Sequence, residues 1–297
     1  VIGSFVLLFT KGLNYGIDFA GGVAMEVQSQ EQTVDLAKLR GQLDSLAVGE
    51  VTLQTFGQPN DVLIRIPQQP AGDQATQEAV AKIKASLGDK WQYRRTETVG
   101  PKVGSELKGH AIWASLLAML GIMAYVWFRY EWQFGVNALL ALVHDCVTTV
   151  GLFSLTGMEF NLTTVAAVLT IAGYSVNDTV VIYDRIRYDM RRYKTMPLAE
   201  LINHALNSTL SRTTITSGLT LLSVLALGIF GGEVIRGFAI AMIWGIVIGT
   251  YSTICVATPL LLYMHIHRIR SRDEKAAADK AAADKKSGPG TVARRGT

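Results

Sequence analysis

Three ionisable residues stand in stretches that are otherwise almost purely apolar. Asp178 lies in the segment 173–179, Gly-Tyr-Ser-Val-Asn-Asp-Thr, directly after the apolar stretch 162–172. Tyr174, Asn177 and Asp178 share one helix face by their i, i+3, i+4 spacing. Asp145, next to His144, sits about ten residues into the apolar run 134–155, and Arg212 stands just before the run 215–230. An ionisable side chain at bilayer depth costs about 2.5–3.5 kcal/mol on insertion scales, so it persists there with a partner or a task. The chemistry open to such a set is proton exchange. Asp178 alternates between its acid and carboxylate forms, while a nearby guanidinium favours the carboxylate and is released when the proton arrives. One charge moved through ~100 mV is worth about 2.3 kcal/mol, which biases a two-state helix arrangement about fiftyfold. A structural alternative stands beside this reading: a permanent Asp178–Arg212 pair, with Asp145 satisfied by His144 and neighbouring hydroxyls, holding helices in register.

The elements that must position these residues are membrane spans. Of 297 residues only 18% are charged, against about a quarter in ordinary soluble domains. The apolar residues concentrate in the runs 112–128, 134–155, 162–183, 215–230 and 238–266, each close to the roughly 20 residues that cross the hydrocarbon. The apolar stretch 1–9 reads as the back half of a further helix, and it lacks the basic start and small-residue cleavage site of a secretory signal. Basic residues gather at Arg185, Arg187, Arg191, Arg192 and Lys194 and again at Arg268, Arg270 and Arg272, which predicts a cytoplasmic location for those segments. The segments 156–160 and 231–236, and the soluble region 11–109, are then external. Positive-inside anchoring accounts for the basic loop without a nucleic acid. Small residues, among them Gly245 and Gly249 in a Gly-x-x-x-Gly match, predict close helix packing without specifying a dimer.

Between residues 22 and 101 the pattern changes to short alternating runs separated by two amphipathic stretches. The order reads βαββαβ: strands at 23–28, 51–56, 62–66 and 91–98, helices at 33–46 and 74–87, and a turn built by Gly57, Pro59, Asn60 and Asp61. That order fits a ferredoxin-like split unit. The predicted fold is therefore a membrane α-helical bundle of six transmembrane helices, the first truncated, with an inserted α+β ferredoxin-like domain. The domains expected are 1–10, a partial helix; 11–109, the soluble domain; 110–268, helices two to six with a cytoplasmic loop at about 184–213; and 269–297, a low-complexity tail. The soluble domain has no nucleophile with a base at a recognisable spacing, no Gly-rich phosphate loop and no His or Cys cluster. Cys146 and Cys255 lie inside apolar runs. Binding or mechanical work is expected rather than catalysis, with no metal.

Three segments, in order, carry a resemblance. They are 16–22, Gly-Ile-Asp-Phe-Ala-Gly-Gly; 173–187, from Gly173 through Asp178 to Tyr183-Asp184-Arg185-Ile186-Arg187; and 207–213, Asn-Ser-Thr-Leu-Ser-Arg-Thr. They resemble the SecD/SecF family of bacterial protein-export membrane proteins, of the resistance-nodulation-division superfamily, from residue 1 to about 272. The soluble region of about a hundred residues favours the SecF branch, because SecD carries a much larger one. The resemblance implies a SecDF complex with SecD, seated at the SecYEG channel of the bacterial inner membrane. YajC and YidC are further associates, and the translocating preprotein is the cargo. Such a complex uses the proton-motive force to draw the preprotein outward after SecA has driven it by ATP hydrolysis. Protons are the coupling ion and no other cofactor is implied. Asp178 takes the place of the family's proton-carrying aspartate and Arg212 that of its partner arginine. The external signature Asp18, Phe19, Gly21 and Gly22 reads as a hinge from helix to domain. The glycines permit a tight lead-in to the first strand, and Asp18 braces it. An autonomous small-molecule exporter of the same architecture, and a purely structural scaffold, remain alternatives.

Overall fold

The computed structural model describes residues 1–264 apart from Glu50, Gly57, Pro70 and Ala71, so the predicted tail lies outside the described residues. A short helix α1 (Ile2–Thr10) leads through β1 (Asn14–Tyr15) and α2 (Ile17–Ala20) into an α+β unit. That unit comprises β2 (Gly22–Ser29), α3 (Leu36–Asp44), β3 (Thr52–Phe56), β4 (Gln58–Ile66), α4 (Asp73–Leu87) and β5 (Trp91–Val99). The strands lie in the order β3-β4-β2-β5 and every pairing is antiparallel. Alternation along β2 sends Val23, Met25 and Val27 to one face, where they meet Ile64 and Ile66 of β4, Leu39 and Leu43 of α3, and Ile83 and Leu87 of α4. The opposite face of the sheet carries no helix of its own unit.

Two details differ from the sequence-based expectation. Helix α3 starts at Leu36 rather than near 33 because the Asp35 side chain accepts from the backbone N–H of Ala37 at 2.9 Å and Lys38 at 3.2 Å, capping it there. Pro59, Asn60 and Asp61 do not form a turn but belong to β4. The Asn60 carboxamide donates to the Ser29 carbonyl at 3.1 Å and Asp61 Oδ2 accepts from Arg94 at 3.2 Å, so two of the side chains expected to turn the chain find cross-strand partners instead.

Helix α5 (Pro101–Arg129) grows directly from the sheet, with Pro101 in its first turn. It is followed by α6 (Trp132–Thr156), β6 (Glu159–Phe160), α7 (Leu162–Arg192), α8 (Leu198–Phe230) and α9 (Glu233–Ser252), the last continued by a π-helical turn, Thr253–Ala257. Five helical stretches are long and apolar enough to cross a membrane, the fifth spanning Ile235–Leu260. Helices α6 and α7 form the centre with α9, whereas only 6% of the α5 span and 11% of the α8 span are buried. The α6–α7 connection and the N-terminal part of α9 face the α+β unit, and this end is called the domain side below.

The loop expected at 184–213 is almost entirely helix, interrupted only at 193–197. One of its charges, Asp189, is absorbed by packing, while Asp184, Arg191, Arg192 and Arg212 remain exposed on helix surfaces. Asp189 is fully buried and accepts from Arg185 Nε at 3.1 Å and His204 Nδ1 at 3.0 Å, amid Ile186, Met190, Leu201 and Ala205. Glycine sets the closest approaches in the bundle. A side chain at Gly245 would run into Ile171, one at Gly249 would stand 3.2 Å from Ser175, and one at Gly151 would strike Ser4. The Gly245–Gly249 pair therefore serves α7–α9 packing within the chain.

Candidate functional site

Asp178 lies on the face of α7 that meets α8 and α9, 5% exposed. Its Oδ2 accepts from Ser217 Oγ of α8 at 3.3 Å. Ser217 Oγ in turn accepts from Thr250 Oγ1 of α9 at 2.9 Å and from the Tyr174 hydroxyl, one turn before Asp178, at 3.4 Å. One hydroxyl thus gathers three helices around the acid. Asp145 is fully buried on the adjoining seam. Its Oδ2 accepts from Ser175 of α7 at 2.6 Å and Ser252 of α9 at 2.9 Å, and its Oδ1 lies 2.9 Å from His144 Nδ1. Ser175 precedes Asp178 by three residues, so the two acids are served from neighbouring faces of one helix.

The carboxylate–guanidinium constellation expected across three helices is not assembled by this chain. Arg212 is exposed and forms no ion pair among the described residues. The reason is helical phase: Ser217 follows Arg212 by five residues, so the turn that brings Ser217 inward swings Arg212 outward. Asn177 is also exposed, unlike its neighbour Asp178. Of the five polar residues singled out from sequence, Tyr174 and Asp178 meet, Asp145 has its own set of partners, and Asn177 and Arg212 face outward. Sequence reasoning did not find Ser217, Thr250, Ser175 and Ser252. Hydroxyl residues are tolerated in spans because they bond back to their own helix, so nothing marked these four. Among the described residues no group of His, Cys, Asp and Glu is arranged to hold a metal.

A second cluster joins the α+β unit to the same helix. Asp18 Oδ2 accepts from the backbone N–H of Leu162, the first residue of α7, at 2.9 Å, and Asn161 caps the next turn through Thr164 N at 2.9 Å. Asp18 therefore braces α7 and not the lead-in to β2. Strand β1 pairs in parallel with β6, and Phe19, which is buried, meets Tyr15 edge-on and Phe160 at a tilt, each 6.2 Å between centroids. Gly21 and Gly22 hold φ of +73° and +119°, and a Cβ on Gly22 would enter the carbonyl oxygen of Ile66. Arg65, on the open face of the sheet, pairs with Glu159 of β6. Burial pushes the Arg65 guanidinium below its ordinary pKa, yet an arginine remains a cation there. Around this pair lies a cavity of about 730 Å³ between the sheet and the rim of the bundle.

Residues 79–267 match the family model described as "Protein export membrane protein SecD/SecF, C-terminal", and residues 6–33 match the "SecD/SecF GG Motif". The chain is 47% identical over 262 residues to the protein translocase subunit SecF of Rickettsia felis, an alignment covering 87% of this chain and 84% of that protein. The chain belongs to the SecF family. Other SecF subunits are similar: that of Desulfurispirillum indicum at 43% identity, covering 90% of this chain and 89% of that one, and that of Rhodobacter capsulatus at 42%, covering 94% and 88%. Among solved structures, SecDF of Thermus thermophilus, described as a translocon-associated membrane protein, is similar with a TM-score of 0.78 at 39% identity. That match covers 88% of this chain and 36% of the SecDF chain, so this SecF-family chain spans about a third of the solved protein. SecDF in a super-membrane-facing form is similar with a TM-score of 0.64 at 37% identity, covering 95% and 37%. Asp145, Asp178 and Arg212 fall inside the larger matched region and Asp18 to Gly22 inside the motif. The SecF family assignment gives a multi-pass membrane protein of the Sec export pathway.

Proposed function

We propose that this chain is the SecF half of a SecDF complex that uses the proton-motive force to promote late preprotein translocation at the SecYEG channel, with Asp178 as the proton-exchanging group. The observation that carries the reading is the position of Asp178. It is buried in the bundle on the helix whose first residue is held by Asp18 beneath the α+β unit, sixteen residues and about 24 Å along the axis away. A change of charge at Asp178 alters what Ser217 and Thr250 bond to, and any shift of α7 is delivered to the hinge at Gly21 and Gly22. Protons serve as the coupling ion and the chain acts without catalysis.

The outer face of α8 supports SecD as partner. Arg212, Thr216, Thr220 and Ser223 recur at three- and four-residue intervals along it; Arg212, Thr216 and Ser223 are exposed and Thr220 is half-buried. A guanidinium facing lipid is costly, and a second bundle bearing an acid opposite Arg212 removes that cost. SecYEG, the preprotein, YajC and YidC follow from the family alone. We read α1 as the first of six spanning helices: it lies against α6, where Ser154 Oγ donates to the carbonyls of Leu7 at 3.1 Å and Gly12 at 2.7 Å. The strand order and antiparallel pairing of the α+β unit support a ferredoxin-like type. The arginines at the far end of α7 support a cytoplasmic location there, which puts the α+β unit on the periplasmic side and the C-terminus in the cytoplasm. The names of the relatives favour this reading over a small-molecule exporter.

Asp178→Asn preserves an acceptor for Ser217 and removes the titration. It is expected to leave insertion and SecD association intact while abolishing the proton-dependent stimulation of export in inverted vesicles. Stimulation at the wild-type level rejects the assignment.

A further inference from the structure

A second line of polar groups runs through the bundle on the side that the Asp178 cluster does not use. On α6, Gln133, Asn137 and Asp145 stand at four- and eight-residue spacing, and the latter two are fully buried. Facing them, Ser175, Thr179 and Tyr183 repeat every four residues on α7, all 2% exposed or less. The third wall is the π turn after α9. The Thr253 hydroxyl lies 3.0 Å from that of Thr179, and Asn137 Nδ2 donates to the Ala257 carbonyl, which takes up an acceptor of the irregular turn. At the Asp145 end every side-chain oxygen has a partner. At the other end Gln133 Oε1, Asn137 Oδ1 and the Tyr183 hydroxyl are buried without a hydrogen bond of ordinary geometry, although the Asn137 side chain stands close to the Tyr183 hydroxyl.

Each polar atom left unpaired in a dry interior costs about 1–3 kcal/mol. Three together on facing walls of one seam are resolved in native proteins by internal water, which needs two to four polar neighbours. The seam offers those neighbours. Gln133 stands in the first turn of α6, at the end of the bundle away from the domain side, where bulk water begins. π-Helical turns recur at functional positions because they release backbone acceptors into a helix interface.

We propose that internal water occupies this seam from Gln133 to the Thr179–Thr253 pair, bringing solvent from the far side to within one hydroxyl relay of Asp145 by a route separate from Asp178. There Asp145 is held by the hydroxyls of Ser175 and Ser252 and by His144, the one titratable side chain bonded to it among the described residues. The use of this route in export rests on the proton-coupled reading above; the presence of water does not.

The test is hydroxyl-radical footprinting of the full chain in lipid nanodiscs with its partner bound, with labelling read by mass spectrometry and normalised to intrinsic residue reactivity. Tyr183 and Phe153 are both fully buried aromatic residues, but Phe153 packs in an apolar cluster with Ala167, Ile171 and Ala239. Water bound at the seam predicts that Tyr183 is oxidised at least fivefold faster than Phe153, with the same ratio in Asp178→Asn. Equal rates at the two rings overturn the proposal. A ratio that collapses in Asp178→Asn overturns the separateness of the route. Neither outcome bears on whether Asp178→Asn loses stimulation, so the two readings fail independently.

Discussion

Gly22→Ala is expected to unfold or detach the α+β unit, at a cost of about 3 kcal/mol or more. Two effects add. The residue holds φ of +119°, a conformation that L side chains avoid at a cost of order 1–3 kcal/mol. The new Cβ also enters the carbonyl oxygen of Ile66, a backbone atom fixed in the β2–β4 ladder, so no rotamer change relieves the clash. Gly21→Ala clashes with the far end of the Gln68 side chain, 2.7 Å away, and otherwise makes ordinary contacts with the backbone of Val99 and Pro101, so at a φ of +73° its cost is expected to be clearly smaller. Limited proteolysis across the Gly21–Gly22 segment and thermal unfolding in detergent measure both. A Gly22→Ala protein as stable as wild type contradicts this geometry of the lead-in to β2.

The second large effect is expected at Asp145. Removing its carboxylate in Asp145→Ala deprives the hydroxyls of Ser175 and Ser252 and the His144 ring of their acceptor and opens a cavity between α6, α7 and α9. Breaking a buried charged network by deleting one member costs about 3–5 kcal/mol. The variant is expected to lose thermal stability by that amount and to be recovered poorly with its partner. Asp178→Asn keeps its fold, since Ser217 finds an amide oxygen where the carboxylate stood. The two acids therefore separate in a single experiment: one variant loses the protein, the other loses only the response to protons. Wild-type stability in Asp145→Ala contradicts the network.

What could be read from the residues alone divides along a physical line. The spans, the βαββαβ order and the depth of Asp145 and Asp178 follow from hydrophobic periodicity and from the cost of charge in lipid, both local properties of a segment. The expected turn at Pro59 to Asp61 and the expected loop at 184–213 failed for a shared reason. Each rested on polar composition, and in each a polar side chain found a partner on a neighbouring element: Asn60 on Ser29, Asp189 on His204. The outward direction of Arg212 and the inward direction of Ser217 depend on the phase of α8 against α7, which no single segment encodes. Local sequence points Asp18 at the lead-in to β2, whereas its partner, Leu162, is 144 residues away.

The central claim is that the carboxyl group of Asp178 gains and loses a proton while the bundle stays folded. Difference infrared spectroscopy of the reconstituted complex across a pH step, compared with Asp178→Asn, tests it without reference to export. A protonated-carboxyl band that appears and disappears reversibly with pH in wild type and is missing from the variant is the predicted result. A wild-type spectrum identical to that of the variant at every pH contradicts it.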